Sequence, residues 1–283
     1  MKGLLIAVVV VAAIIAGALL APVPLAHIQL AAEPIGHIGG FTVTNSILAG
    51  WISTVVLIVV FYAATSNAQM VPSGLQNFVE YATEAILGLC ESVAGVRKGR
   101  QFFPIVGTIF FFVILSNWMG LLPGFGSIGF RETTPEGETE FVPLLRAATT
   151  DLNTTLAIAL TSVVATQIFG LKELGGGYVE KFFNFRGGPI GIYVGLLELI
   201  AEFAKIVSFT FRLFGNIFAG EVLLAVIVFL VPWLAALPFY GLELFVGFIQ
   251  AFVFAVLTLV FMTLATTAHE HGDVAHGAEA SHH

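Results

Sequence analysis

The sequence predicts an all-α polytopic membrane protein, with five core transmembrane helices, an amphipathic helix on the membrane surface and a long, tilted helical hairpin at the end. Three observations lead there. Hydrophobic residues make up 58% of the 283-residue chain and charged residues only 10%, at a mean hydropathy of +0.97, whereas an average soluble domain is about 25% charged. Stretches 46–62, 103–122 and 245–263 carry no charge, and each is near the roughly 20 residues a helix needs to cross the hydrocarbon layer. The last two apolar stretches, 191–231 and 239–267, are longer than a perpendicular crossing needs, so they must tilt, bend or protrude.

The elements follow in order. Lys2 and the apolar run 4–20 ahead of Ala21-Pro22 read either as a secretory-type signal or as an extra leading span. Residues 1–21 are therefore set apart as a leader, and 22–46 as a polar segment on the outer side. A first span covers 47–64, and Pro72 and Gly74 break the chain after it. Over 75–96, Leu75, Phe78, Val79, Ala82, Ala85, Ile86 and Leu89 recur at helical spacing beside Glu80, Glu84 and Glu91, the pattern of a surface helix. Spans follow over 103–122 and 152–171, separated by an acidic loop. The final hairpin then turns near Pro232 and Pro238, which completes a membrane unit over 47–267.

Lysine and arginine favour the cytoplasmic side of short loops. Arg97, Lys98 and Arg100 mark one such loop, and Lys172, Lys181 and Arg186 mark the next, two spans later. Arg131 and Arg146 instead stand among the glutamates of the acidic loop. This alternation puts the stretch before Ile47 outside and the histidine-rich tail, 268–283, in the cytoplasm.

The same residues exclude several function classes. The net charge of -7 comes largely from loop glutamates, and no basic cluster suited to nucleic acid exists. Cys90 is the lone cysteine and reads as an apolar filler. Gly175-Gly176-Gly177 lacks the Gly-Lys-Ser/Thr of a nucleotide loop. In the tail, His269-Glu270 is followed by Asp273 where a zinc-binding His-Glu-x-x-His needs histidine, so neither a metal nor a cofactor is expected.

The chemistry concentrates in 191–231. A charge inside a span costs about 2.5–3.5 kcal/mol on insertion scales and usually faces protein or water. Here Glu198, Glu202, Lys205, Ser208, Arg212 and Asn216 recur at spacings of three and four, drawing one polar stripe along a single helix face. Glu221 points to roughly the opposite side, toward the last helix if the hairpin packs that way, where Glu243 stands to meet it. Arg212 lies between the two acidic groups. A guanidinium does not release its proton, so it cannot relay one, but it can draw a passing carboxylic acid into its ionised form. Arg212 thus reads as a divider of the polar path, or alternatively as a structural ion-pair partner of Glu202 or another helix carboxylate.

Ser208-Phe-Thr-Phe-Arg212-Leu-Phe-Gly-Asn216-Ile-Phe-Ala-Gly220-Glu221 resembles the signature of subunit a of bacterial F-type ATP synthases. Three further stretches agree in order and spacing: Ser116 to Gly124, Thr150 to Leu156, and Ile249 to Thr258. The resemblance implies a stator channel in the bacterial inner membrane, packed against a ring of c subunits, joined to the b-subunit peripheral stalk and the rest of the F1Fo complex, and surrounded by lipid. It implies an outer half-channel near Glu221, Glu243 and Asn216, and an inner one near Glu198 and Glu202. Arg212 keeps them apart, and Gln250 matches the glutamine that neighbours the arginine. Such a subunit is non-catalytic and passes protons by default, Na+ being the other choice.

Two departures from the family pattern stand out: Lys205-Ile206 replaces the Lys-Pro of many members, and Glu202 is accompanied by Ala201 and Ala204 where some relatives carry serine. Which of Glu221 and Glu243 accepts the proton stays open, as does whether Asn117 and Asp151 line the outer channel or serve as polar packing. A secondary transporter, for which the chain shows no internal repeat, and a structural scaffold held by its polar stripe are the competing readings.

Overall fold

The computed structural model describes residues 30–126, 128–133, 139–182, 188–230 and 236–267. The leader 1–21, the Pro232 turn and the histidine-rich tail lie outside these residues. Five described helices are long and apolar enough to cross a membrane. The helical elements are α1 (Asn45–Thr65), α2 (Gly74–Met119), α3 (Leu152–Leu174), the short α4 (Gly176–Phe182), α5 (Gly188–Leu230) and α6 (Leu237–Thr266).

Helix α1 begins where Thr44 accepts a hydrogen bond from the Ile47 amide, the usual device for an orphaned first-turn donor. Trp51, Val55, Ile58, Val59 and Tyr62 are exposed in the isolated chain, while Ala49 and Ser53 turn inward. That distribution suits a helix solvated by lipid on one side. The surface helix and second span expected from the sequence are both present, joined through Gly95 at φ 77°, ψ 160°. Only glycine adopts such a backbone readily. Beyond the bend, the helix folds back so closely that Gly99 rests on the backbone of Cys90 and Glu91, and Arg100 pairs with Glu91 at 2.7 Å.

Where the sequence suggested plain loops, the structure has more order. β1 (Pro34–Ile38) and β2 (Phe41–Thr44) form an antiparallel hairpin turned at Gly39, whose φ is 63°. β4 (Gly129–Thr133) and β5 (Thr139–Pro143) pair in the acidic loop after a short β3 (Pro123–Gly126). A 3-10 turn, Ala148–Thr150, leads into α3. The 172–189 region likewise contains α4. These pieces are too short for hydropathy to reveal, because their backbones are satisfied by local pairing rather than by an apolar face.

The core forms where α2 packs against α6, with α3 and α5 closing the other sides. Phe102, Val106, Ile109, Phe110 and Val113 of α2 meet Ala251, Phe254, Ala255, Leu259 and Met262 of α6. Small residues let the backbones approach, as membrane helices require when hydrophobicity alone gives no drive to associate. Polar bonds tie the two ends of the bundle. At one end, Asn45 donates to Glu33 and to the Pro143 carbonyl, and Ser46 donates to Asp151. At the other, Arg97 and Lys98 reach Glu173, and the Lys98 ammonium donates to the Thr266 carbonyl at the end of α6, where a cation also offsets the helix dipole. Helix α5 runs unbroken through Lys205-Ile206. At roughly 65 Å it is about twice the hydrocarbon thickness.

A Cβ on Gly99 would stand 2.7 Å from the Cys90 backbone, whereas one on Gly88 meets nothing within 4 Å. Gly99→Ala should therefore lower the stability of the detergent-solubilised chain by about 1–3 kcal/mol. Gly88→Ala should leave it unchanged or slightly raised. Thermal unfolding followed by circular dichroism checks both.

Candidate functional site

The α5–α6 hairpin pairs its residues antiparallel, and three polar layers follow from that register. Gly220 lies against Glu243, Asn216 bonds Gln250, Phe209 stacks near Phe254, and Lys205 sits over the Phe261 ring. The register places the residues of the α5 stripe at successive levels along the hairpin.

In the first layer, both oxygens of Glu202 are held. The Lys205 ammonium donates to Oε1 at 2.6 Å, and the Gln167 amide of α3 donates to Oε2 at 2.9 Å. Gln167 in turn accepts from the Tyr178 hydroxyl of α4 at 2.8 Å. Burial, with Glu202 and Glu198 beside it, pushes the Tyr178 hydroxyl up to about 12 from its ordinary 10. Because the folded value is the higher one, its contribution to stability is complete below pH 10 and lost as the pH rises through about 12. Glu198 stands one turn from Glu202, partly exposed.

Arg212 occupies the middle layer. Its Nη2 donates to the Ser208 hydroxyl at 3.3 Å, and its guanidinium carbon lies 5.9 Å from the Phe209 ring centre. Among the described residues no carboxylate pairs with it, which corrects the alternative expectation of an Arg212–Glu202 ion pair: Lys205, three residues away, has taken that acid. One turn above, the Asn216 amide donates to Gln250 Oε1 at 2.7 Å, leaving the buried Gln250 Nε2 with no hydrogen-bond partner among the described residues. A buried donor in that position costs free energy unless water or a partner chain supplies an acceptor.

The third layer is a cavity of about 320 Å³, whose walls include Asn117, Thr150, Arg146, Glu221, Tyr240 and Glu243. It has room for several waters. Arg146 is buried and donates to Glu221 from Nε at 3.2 and 3.3 Å and from Nη2 at 3.0 Å; its Nη1 reaches the Ala31 carbonyl. The sequence reading turned Glu221 toward the last helix. Instead its charge is met by the segment leading into the 3-10 turn, and Glu243 shares the cavity without a bond to it.

Asn117 and Asp151 part company. Asn117 lines the cavity while clamping α2 to α6 through the Gly247 carbonyl and accepting from Thr149. Asp151 caps α3, accepting from the Asn153 amide, Ser46 and Thr154, and is not among the cavity-lining residues.

Sequence reasoning missed three contributors. Arg146 counted only as a loop charge, although its setting in the apolar run Leu144-Leu145-Arg146-Ala147-Ala148 marks a buried cation. Gln167 and Tyr178 belong to other elements, and no spacing along the chain connects either of them to Glu202.

The geometry therefore has a permanent cation flanked by two acidic layers, on a hairpin too long for a simple crossing. Against known proteins, residues 47–263 match the family described as ATP synthase A chain. The chain is similar to ATP synthase subunit a of Gloeobacter violaceus, at 37% identity over 227 residues, covering 80% of this chain and 85% of that protein. A match of this extent, across all five long helices and both acidic layers, means that the chain belongs to the ATP synthase A chain family.

Proposed function

We propose that this chain is the stator subunit of a membrane-embedded rotary motor and carries protons to and from a ring of carboxylate-bearing c subunits through two half-channels separated by Arg212. The observation that carries this reading is the state of Arg212, charged at every physiological pH and without a carboxylate among the described residues. Its surroundings on α5 suit a moving partner. Ala201, Ala204, Ser208, Gly215 and Ala219 are exposed along the same region of α5, and small side chains there let a passing helix approach Arg212 closely.

A proton entering through the outer cavity meets Glu243 and Glu221. Arg146 engages Glu221, so Glu243 is the acid free to exchange. Asn216 and Gln250 line the step between the cavity and the ring, with the unpaired Gln250 amide available to a ring carboxylate. After a turn of the ring, the proton leaves past Ser208 toward Glu202 and Glu198. As a ring carboxylic acid approaches Arg212, the cation favours its ionised form, which compels release on one side before reloading on the other. The chain makes no ATP itself. Its torque serves soluble catalytic subunits, held by a b-subunit peripheral stalk.

The remaining assignments belong to the same proposal. Residues 47–267 form the translocation unit, preceded by a leader over 1–21 and an outer segment over 22–46. The charged cluster of Arg97, Lys98, Arg100 and Lys172 supports a cytoplasmic location for that end and for the tail, 268–283, in a bacterial plasma membrane. Asp151 serves as a structural cap rather than as channel lining.

Replacing Arg212 by alanine in the complete complex, reconstituted in liposomes, is expected to abolish ATP synthesis under an imposed proton gradient and to raise a passive leak that requires the ring. Preserved synthesis with an ordinary leak would return Arg212 to a structural role. The outer path is tested separately by Gly220→Ala, whose added methyl collides with the Glu243 carboxylate. ATP-driven pumping should fall at least severalfold with no increase in leak, because Arg212 is untouched; pumping at the unaltered rate would remove Glu243 from the path.

A further inference from the structure

The layer around Glu202 contains more machinery than an acid alone requires. Tyr178 comes from α4, outside the membrane-spanning helices, and is nonetheless almost fully buried. Its ring lies on Gly170 so closely that any side chain at 170 would collide with it. This contact aims the hydroxyl at Gln167. Because the hydroxyl donates to Oε1, the amide of Gln167 is left with its NH2 turned outward, onto Glu202. The opposite orientation would set the amide oxygen against a carboxylate oxygen, two acceptors facing each other.

We infer that Tyr178 and Gln167 are a positioning pair for the inner half-channel: together they orient the Glu202 carboxylate and hold its Oε2 in place for proton exchange with the cytoplasmic side. This rests on the half-channel reading above. Among the described residues, the charged and titratable groups around the pair include Glu198, Glu202 and Lys205 on α5, and Tyr178 on α4, with the Phe261 ring of α6 holding the Lys205 ammonium at 4.7 Å. Lys205 occupies Oε1, so Oε2, the oxygen Gln167 holds, is the one whose environment the pair controls. When Glu202 takes up a proton, the Gln167 donor loses its charged acceptor, and the tyrosine keeps the amide from swinging away. The carboxylate is thus offered the same donor at each turnover. Neither Tyr178 nor Gln167 transfers a proton in this scheme: tyrosine keeps its own, and the amide has none to give.

The test uses the complete complex in inverted membrane vesicles, where the medium bathes the cytoplasmic face. ATP-driven proton pumping is measured against medium pH and normalised to the uncoupler-released ATPase of the same vesicles. Tyr178→Phe keeps the ring on Gly170 and removes only the hydroxyl. It is expected to lower pumping roughly two- to tenfold, the range of one hydrogen bond, and to displace the pH profile, because the donor facing the Glu202 carboxylate is no longer held in place. Gln167→Leu should displace the profile in the same direction, and the double variant should add little to it, because both changes break one chain of bonds. A Tyr178→Phe profile that superposes on the wild type's, or fully additive effects in the double variant, overturns the inference. Failure of the half-channel reading has a different signature: Arg212→Ala vesicles that pump normally.

Discussion

The structure is organised around one unneutralised charge. Arg212 lies within a helix rich in Leu, Ile, Val and Phe, and among the described residues only a serine hydroxyl and an aromatic ring attend it. A cation at such a site costs several kcal/mol unless something answers it, and the nearby acids are otherwise engaged or distant in the register. Glu202 is taken by Lys205 and Gln167, and Glu221 by Arg146. These local cations and donors keep the chain's own carboxylates from collapsing onto Arg212. In the proposed function the charge is thereby reserved for a carboxylate that arrives from another subunit.

The rest of the fold serves that reservation. The α2–α6 core backs the α5–α6 hairpin, and small residues on α2, α3 and α6 allow tight packing where lipid offers no hydrophobic drive. At one end, the 3-10 turn and the segment before it bring Arg146 into the bundle, while Asp151 and Asn45 tie α1, α3 and the segments carrying Glu33 and Pro143 together. At the other, Arg97 and Lys98 bind Glu173 and the end of α6. Each acidic layer is consequently held by elements from three or more parts of the chain, whereas the Arg212 layer is left open along α5.

Much of this was legible in the sequence, because the bilayer imposes simple rules. Runs of about 20 apolar residues announce helices, and charges inside them announce function. The spacing from Glu198 through Asn216 placed the stripe on one face, and the structure keeps it there. Tertiary pairing was less legible. Glu221 was expected to look toward the last helix, yet it is paired by an arginine from the acidic loop. Glu202 was considered for Arg212, yet a lysine only three residues away reaches it first. Asp151 sits in a motif of the resemblance, and its position at a helix start explains it. The β-hairpins escaped notice because short polar strands leave no hydropathy signature, and Tyr178 because its partners are remote in the chain.

The central claim is that Arg212 answers a carboxylate brought by another subunit. It is tested most directly by a structure of the assembled membrane sector at a resolution that shows side chains. The account predicts the guanidinium facing the ring, within reach of a c-subunit carboxylate, with Ala204, Ser208 and Gly215 against ring helices and a watery cavity ending on each side of Arg212. An Arg212 paired to a carboxylate of its own chain, or an α5 face covered by lipid with the ring docked elsewhere, would contradict it.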